Sequence, residues 1–175
     1  MQSFPASSSD TYKALGRTWA ATVTVVTARR RPEHVTPQAP EVDGFTATAF
    51  LTVSIAPPII LVSATSASSA FAMLRDCSSF AVSLLSADQS DLAGAFAKPA
   101  VERAGLWDRI AWQPDEAGVP LLSGATGAFS ARVRQLVDAG DHTLVLGDVT
   151  ALHLGEGTDT LVYQNRGYGR VARLG

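Results

Sequence analysis

Between Gly44 and Leu74 the chain runs for 31 residues without one charged side chain. A stretch that long could cross a bilayer as a helix. It contains Pro57-Pro58 and nine Ser or Thr residues, however, which a lipid-exposed helix does not favour. The stretch therefore reads as strands and turns buried inside protein, which predicts no membrane partner and a cytoplasmic location. Residues 1–9 hold neither a basic cluster nor an apolar core, so they read as a short disordered tail rather than a signal peptide. The remaining 10–175 fit a single domain. Hydrophobic residues make up 46% and charged residues only 17% of the 175. That low charge content suits extra burial, as in a homodimer interface. A net charge of −2 offers nothing to a phosphate backbone, so no nucleic-acid partner is expected. The single cysteine, Cys77, excludes a disulfide framework and a cysteine-rich zinc site.

Hydrophobic spacing supplies the elements. Asp10 to Trp19 reads as a helix, capped by Ser9 or Asp10, with Tyr12, Leu15 and Trp19 on one face. Thr22 to Thr27 is β-branched throughout and reads as one strand. Arg29 to Asp43, with three prolines and mixed charge, reads as a loop, and its Arg29-Arg30-Arg31 run as a solvated one. Strands follow at Gly44 to Thr52 and Pro58 to Ala64, split by the Pro pair. A short helix is predicted over Ser68 to Arg75, with Phe71 and Leu74 inward, and then a strand over Phe80 to Leu85. Ser86-Ala87-Asp88-Gln89 has the capping-box pattern and is expected to open a helix reaching about Ala97. Lys98 to Gly118 reads as loop with a strand at Ile110 to Gln113. Phe129 to Val137 alternates, with Arg132 and Arg134 on its outer face. After a turn at Asp138 to Asp141, His142 to Ala151 is its antiparallel partner, and Leu161 to Tyr163 is a last short strand. Many short strands with few helices predict a mainly β, antiparallel barrel.

Motif searches remove whole classes of chemistry. The chain has no G-x-G-x-x-G, no G-x-x-x-x-G-K-[ST] and no G-x-S-x-G. The histidines at 34, 142 and 153 lack metal-ligand spacing, so no metal site is predicted. What remains is a strip rich in hydroxyls and small side chains. Thr46-Ala47-Thr48-Ala49 is followed by Ser63, Thr65, Ser66, Ser68 and Ser69. Small side chains let a flat ligand approach the backbone, and hydroxyls beside free amides suit a phosphate. The same residues also serve as ordinary strand and cap positions. Gly140-Asp141-His142, at the predicted hairpin turn, is the second candidate feature.

Four segments, in this order, resemble the short-chain flavin reductases with an FMN-binding split barrel. They are Thr22 to Thr27, Gly44 to Pro58, Phe80 to Gln89, and Ala139 to Leu144 with Gly147-Asp148-Val149. The resemblance covers roughly Tyr12 to Val171. It implies an antiparallel split β-barrel of Greek-key type with a few short helices. It also implies an NAD(P)H:flavin oxidoreductase that hands reduced flavin to a separate oxygenase component. The implied cofactors are FMN or FAD, with NADH or NADPH as hydride donor, and the implied assembly is a homodimer.

The resemblance further implies roles for individual residues. Thr46, Ala47, Thr48 and Ala49 would lie along the isoalloxazine. Ser63, Ser66, Ser68 and Ser69 would line the ribityl and phosphate end. Phe96 and Ala97 would lie near the flavin. His142 would face the nicotinamide and act in catalysis, and Tyr168, Gly169 and Arg170 would help hold NAD(P)H. Thr48 and Ser83 stand where the family often has Asn, and the Arg29–Asp43 loop is longer than the usual connection. Three other readings stay open: a reductase that keeps its flavin and reduces a corrinoid or an iron chelate, a flavin-binding module without reductase activity, and a barrel with no ligand whose Ser and Thr residues are only structural.

Overall fold

The computed structural model describes residues 3–5, 7–103 and 105–172. Of the tail at 1–9, Met1, Gln2 and Ala6 lie outside the described residues. The described chain is three antiparallel sheets with three short helices. α1 (Ser9–Thr18) leads into β1 (Ala21–Thr22) and β2 (Thr24–Arg30); then come β3 (Val42–Ala47), β4 (Phe50–Ile55) and β5 (Pro58–Thr65). α2 (Ser69–Arg75), β6 (Cys77–Leu84) and α3 (Ser90–Phe96) form the middle. β7 (Trp112–Pro114), β8 (Pro120–Leu122), β9 (Gly127–Ala139), β10 (His142–Leu154), β11 (Leu161–Gln164) and β12 (Gly167–Arg170) complete it.

The main sheet has seven strands in the order β3-β2-β6-β9-β10-β5-β4. Its two edges are β3 and β4, yet these are neighbours in sequence, joined only by Thr48-Ala49. Three Cα steps reach at most about 11 Å. The sheet must therefore curl until its edges come close at that corner. No ladder joins β3 to β4. Inside the curl lies a core of Val26, Ile60, Val62, Leu74, Phe80, Val82 and Val145. A Cβ on Gly147 would come within 2.6 Å of the Phe80 ring, so the missing side chain makes room for that ring.

Several boundaries correct the sequence reading. The expected Thr22–Thr27 strand is two strands broken at Val23. Val23 donates to the Leu161 carbonyl and accepts from the Leu85 amide, which stitches the small sheet β1-β11-β12 to the large one. The run is β-branched throughout because β2 is buried on both faces. Val26 and Ala28 enter the first core, whereas Val23 and Val25 pack with Phe96, Leu106 and Leu161 in a second. The predicted Gly44–Thr52 strand is likewise broken, at the Thr48-Ala49 corner. Arg29 and Arg30 lie on β2, not in a solvated loop. Arg30 is buried, its Nη1 donating to the Pro40 carbonyl while its Nε has no partner.

The helices show what capping decides. α1 starts at Ser9, and the Ser8 hydroxyl bonds Thr11 rather than a backbone amide. Its apolar residues Tyr12, Leu15 and Trp19 are exposed. In α2 the Ser68 hydroxyl does cap, accepting from the Phe71 amide. Met73 and Leu74 turn fully inward, while Phe71 is half-buried against the core. The capping-box helix starts three residues late, at Ser90 with Gln89 before it rather than at Ala87. Gln89 Oε1 accepts from the Ser86 amide, but the Ser86 hydroxyl goes to the Asp88 carboxylate and a turn intervenes. Near the C-terminus Leu161–Gln164 is not the last strand, because β12 pairs with it.

Candidate active site

The Thr48-Ala49 corner forms one wall of a cleft of about 480 Å³. That volume lies within the usual range of small-ligand pockets, ~300–1,000 Å³. Thr46 to Ala49 come from the end of β3 and the corner; Ser63, Ala64 and Thr65 from β5; Ser68, Ser69 and Ala70 from the start of α2. The opposite wall is Phe96 to Pro99 with Arg103, and His142 stands at the start of β10. Register explains the grouping. His142 pairs with Thr65 and Leu144 with Ser63, and the Ser63 amide donates to the Ala49 carbonyl at 3.0 Å.

Thr46 spends its hydroxyl proton on α3, donating to the Ala93 carbonyl at 2.6 Å. That bond helps hold Phe96-Ala97 against β3. Gly44 does the same by omission, since a Cβ there would sit 3.1 Å from the Phe96 ring. The Ala47 carbonyl is taken by the buried Thr24 hydroxyl at 2.8 Å. The Thr48 and Ala49 amides have no acceptor among the described residues. Two free donors thus lie beside small side chains, which fits the polar edge of a flat ring.

His142 is positioned from both sides. Its Nδ1 is 2.7 Å from Asp141 Oδ1 and its Nε2 is 3.3 Å from the Thr65 hydroxyl. An ionised carboxylate only accepts, so Nδ1 carries a proton. The His142 hydrogen bond, aided by the ring's charge, holds the Asp141 carboxyl below the usual carboxylate range. The Gly140-Asp141 loop presents this pair, with Gly140 at φ +68°.

Two residues that sequence reasoning missed complete the cleft. Arg103 is buried and grips both carboxylate oxygens of buried Asp43 at 3.0 Å. Its Nη1 donates to the Lys98 carbonyl, so the pair anchors the segment after α3. Lys98 itself forms no ion pair among the described residues and is the one cation of the cleft left without a carboxylate partner. A lysine two residues after Phe96 was visible in the sequence; its place in the same cleft as the α2 start was not. The cleft therefore combines donors for a ring edge, a shallow small-residue wall and a cation, a set that fits a flavin nucleotide.

The chain belongs to the flavin reductase like domain family. The match spans residues 15–172. The chain is 35% identical over 168 residues to an NADH:FMN oxidoreductase from Rhodococcus qingshengii, covering 94% of this chain and 82% of that one. Among solved structures it resembles an NADH:FAD oxidoreductase of Streptomyces globisporus, described in complex with NAD and FAD fragments. That likeness has TM-score 0.84 and 26% identity over 98% of each chain. It also resembles the flavin reductase component of a bacterial two-component tryptophan halogenase, with TM-score 0.80 and 28% identity over 95% of this chain and 99% of that one. The protein is a nicotinamide-nucleotide-dependent flavin oxidoreductase.

Within the reductase, the cleft collects Thr46, Ala47, Thr48, Ala49, Ser63, Ser68, Ser69, Phe96, Ala97 and His142. Ser66 does not line it. Its amide donates to the Asp141 carbonyl and its hydroxyl pairs with Thr143 at 2.9 Å, so it ties the start of α2 to the hairpin. The Ser68 hydroxyl is consumed by its cap, donating also to the Thr65 carbonyl. Tyr168, Gly169 and Arg170 sit outside the cleft on β12, where Tyr168 packs edge-on against Tyr163 at 5.3 Å. Ser83 is buried and accepts from the Leu122 amide, well away from any ligand role. Cys77 is buried too, and burial pushes its thiol up to about 12, which rules it out as a nucleophile. No group of three or more metal-ligating side chains is found among the described residues, nor is any helix there long and apolar enough to cross a membrane.

Proposed function

We propose that the cleft between the Thr48-Ala49 corner and the Phe96–Pro99 segment binds FMN or FAD and presents it to NAD(P)H. The observation that carries this reading is the pair of unengaged amides at Thr48 and Ala49 in a cleft whose other wall, Phe96 to Pro99, includes Lys98. The amides donate to the polar edge of the ring. Ala47, Ala49, Ala64 and Ala97 keep the ring close to the backbone. Lys98 and Ser69 meet the phosphate. When bound, the flavin and the nicotinamide themselves supply hydride transfer between N5 and C4, so no side chain need act as nucleophile or base. The protein's task is to orient and to exclude water. His142, fixed by Asp141, offers Nε2 to the nicotinamide side, with Thr65 as its neighbour.

The single-link corner between the two sheet edges supports a split, Greek-key barrel rather than a closed one. A homodimer is supported by apolar side chains left uncovered. Leu51, Val53 and Ile55 project from the edge strand β4, and Leu152 and Leu154 from the far end of β10. Ile55 is 94% and Leu154 100% exposed, and a soluble monomer rarely leaves so much of an edge bare. Release of reduced flavin to a separate oxygenase component is supported by the resemblance to reductase components of two-component systems.

The test is NADH consumption under air with FMN, with FAD and with no added flavin. Turnover that depends on added flavin supports the reading, and the two flavin curves rank the acceptors. Flavin that stays with the protein through gel filtration, with turnover only on a metal-containing acceptor, would replace free flavin as the product. Binding of flavin without NADH consumption would leave a binding module.

A further inference from the structure

A cavity of about 330 Å³ lies at the end of the β9–β10 hairpin remote from His142, between the start of β9, the end of β10 and the β7–β8 pair. It shares no lining residue with the flavin cleft. His142 and His153 sit near opposite ends of β10, at most about 36 Å apart along the strand. The volume is at the lower end of the usual ~300–1,000 Å³, so an occupant must be small. The buried part of the lining is apolar and includes Leu121, Leu122 and Ala128. Packing accounts for the glycines there. A Cβ on Gly155 would collide with the Ala125 carbonyl, and one on Gly127 would come within 2.9 Å of the His153 carbonyl. Packing does not account for the polar side chains.

A chain of hydrogen bonds fixes the tautomer of His153. Asp115, in the β7–β8 turn, accepts at Oδ1 from the Ala117 and Val119 amides, at 2.9 and 2.8 Å, and at Oδ2 from the Ser130 hydroxyl at 2.6 Å. Ser130 is buried, and His153 Nε2 is 3.1 Å from its oxygen. An ionised carboxylate only accepts, so the Ser130 proton is spent on Asp115 and Nε2 must donate to Ser130. The neutral ring then has a bare lone pair at Nδ1. Nδ1 has no hydrogen-bond partner among the described residues, and neither Ser130 nor Asp115 lines the cavity. Of the two ring nitrogens, Nδ1 is thus the one left for an occupant. Glu156 lines the same cavity and forms no ion pair among the described residues. No Lys or Arg among the described residues lines it. The cavity therefore offers two acceptors, one of them anionic, beside apolar side chains, and nothing to neutralise an anion.

We infer that this cavity binds a small organic ammonium, an apolar body of about one ring that carries N–H donors, with Glu156 meeting its charge and His153 Nδ1 accepting one of its protons. Phosphates, nucleotides and carboxylic acids are disfavoured there, because each would meet a carboxylate and a lone pair with no counter-charge. The site is chemically opposite to the flavin cleft, where Lys98 is the unpaired cation. Ser130 is a positioning residue. It touches no occupant and acts by holding the imidazole proton on Nε2 and off Nδ1. The site stands independently of flavin binding in the other cleft.

Calorimetric titration with three probes of similar shape, benzylamine, benzyl alcohol and benzoate, separates the charge from the ring. Benzylamine is expected to bind at least about tenfold tighter than benzyl alcohol, the scale of a hydrogen bond to a charged group, and benzoate weaker than both. Glu156→Gln should bring benzylamine to within about threefold of benzyl alcohol. His153→Phe keeps a ring and removes the acceptor, so benzylamine affinity should fall at least about tenfold while the far-ultraviolet circular dichroism stays unchanged. Should that variant fail to fold, Glu156→Gln, at an exposed position, still decides. Nitrogen-15 spectra of the parent should show neutral His153 protonated at Nε2 alone. Ser130→Ala should let the proton reach Nδ1 and weaken benzylamine binding with it. A parent protein that takes up no benzylamine at millimolar concentration, or that prefers benzoate, would overturn the inference. So would benzylamine binding untouched by Glu156→Gln and His153→Phe, or a neutral parent ring protonated at Nδ1.

Discussion

Two hydrogen bonds orient His142, one on each side of its ring. His142 was legible in the sequence as the residue opening a strand after Gly140-Asp141, but its orientation was not, because that depends on Thr65 coming alongside from 77 positions away. Replacing His142 by Ala is expected to raise KM for NADH far more than KM for flavin; equal shifts in both would remove it from the donor side. Asp141 sets the pH behaviour of this pair. Its folded-state pKa lies below the unfolded value of about 3.9, so its contribution to stability is present above that pH and fades as pH falls through the lower folded value. The melting-temperature gap between the protein and Asp141→Asn should therefore close as pH falls below about 4. A gap that persists in acid would mean that the carboxylate is not what stabilises the pair. Ser66 and Ser68 show the opposite lesson. They read as ligand hydroxyls, yet Ser68 is absorbed by its helix cap and Ser66 by Thr143 from 77 positions away, neither of which short-range spacing could distinguish from a ligand contact.

At the level of elements, α3 and the segment behind it form one wall of the cleft, and two polar ties hold them to β3. Thr46→Val keeps the shape and removes the bond to the Ala93 carbonyl. The cost to stability should be about 1 kcal/mol, with flavin affinity falling more than that alone explains. Urea unfolding beside flavin titration checks this, and unaltered flavin affinity would reduce Thr46 to a strand residue. The Arg103–Asp43 pair is the stronger tie. Arg103→Leu strands a buried carboxylate and should cost about 3–5 kcal/mol. Pairing it with Asp43→Leu should recover most of the stability while flavin binding stays weak, because the Lys98 carbonyl remains unheld. Recovery of both would show that the pair serves packing alone. Most elements were readable from periodicity. The failures at Val23, Thr48 and Ser86 fall where the chain passes from one sheet to another, at the edge corner, or where a side chain bonds a neighbour instead of the backbone. None of these alters local hydrophobic spacing, so none is visible to it.

For the whole molecule, the bare apolar side chains of β4 and β10 predict a homodimer by light scattering at micromolar concentration. Ile55→Glu with Leu154→Glu should shift it to monomer while leaving the far-ultraviolet circular dichroism intact. A parent protein that is already monomeric would refute the interface. The low charge content hinted at such a surface; which strands carry it depends on the strand order, which no local window contains. That order has one more consequence. The Thr46–Ala49 strip sits where the two edge strands of the main sheet, β3 and β4, meet, and no ladder crosses there. The mouth can widen along this seam without breaking a single backbone hydrogen bond. With flavin in the cleft as proposed, a reductase whose product must leave intact gains a low-cost exit: side chains and two amides would hold the ligand, while the rest of the sheet stays zipped as it departs.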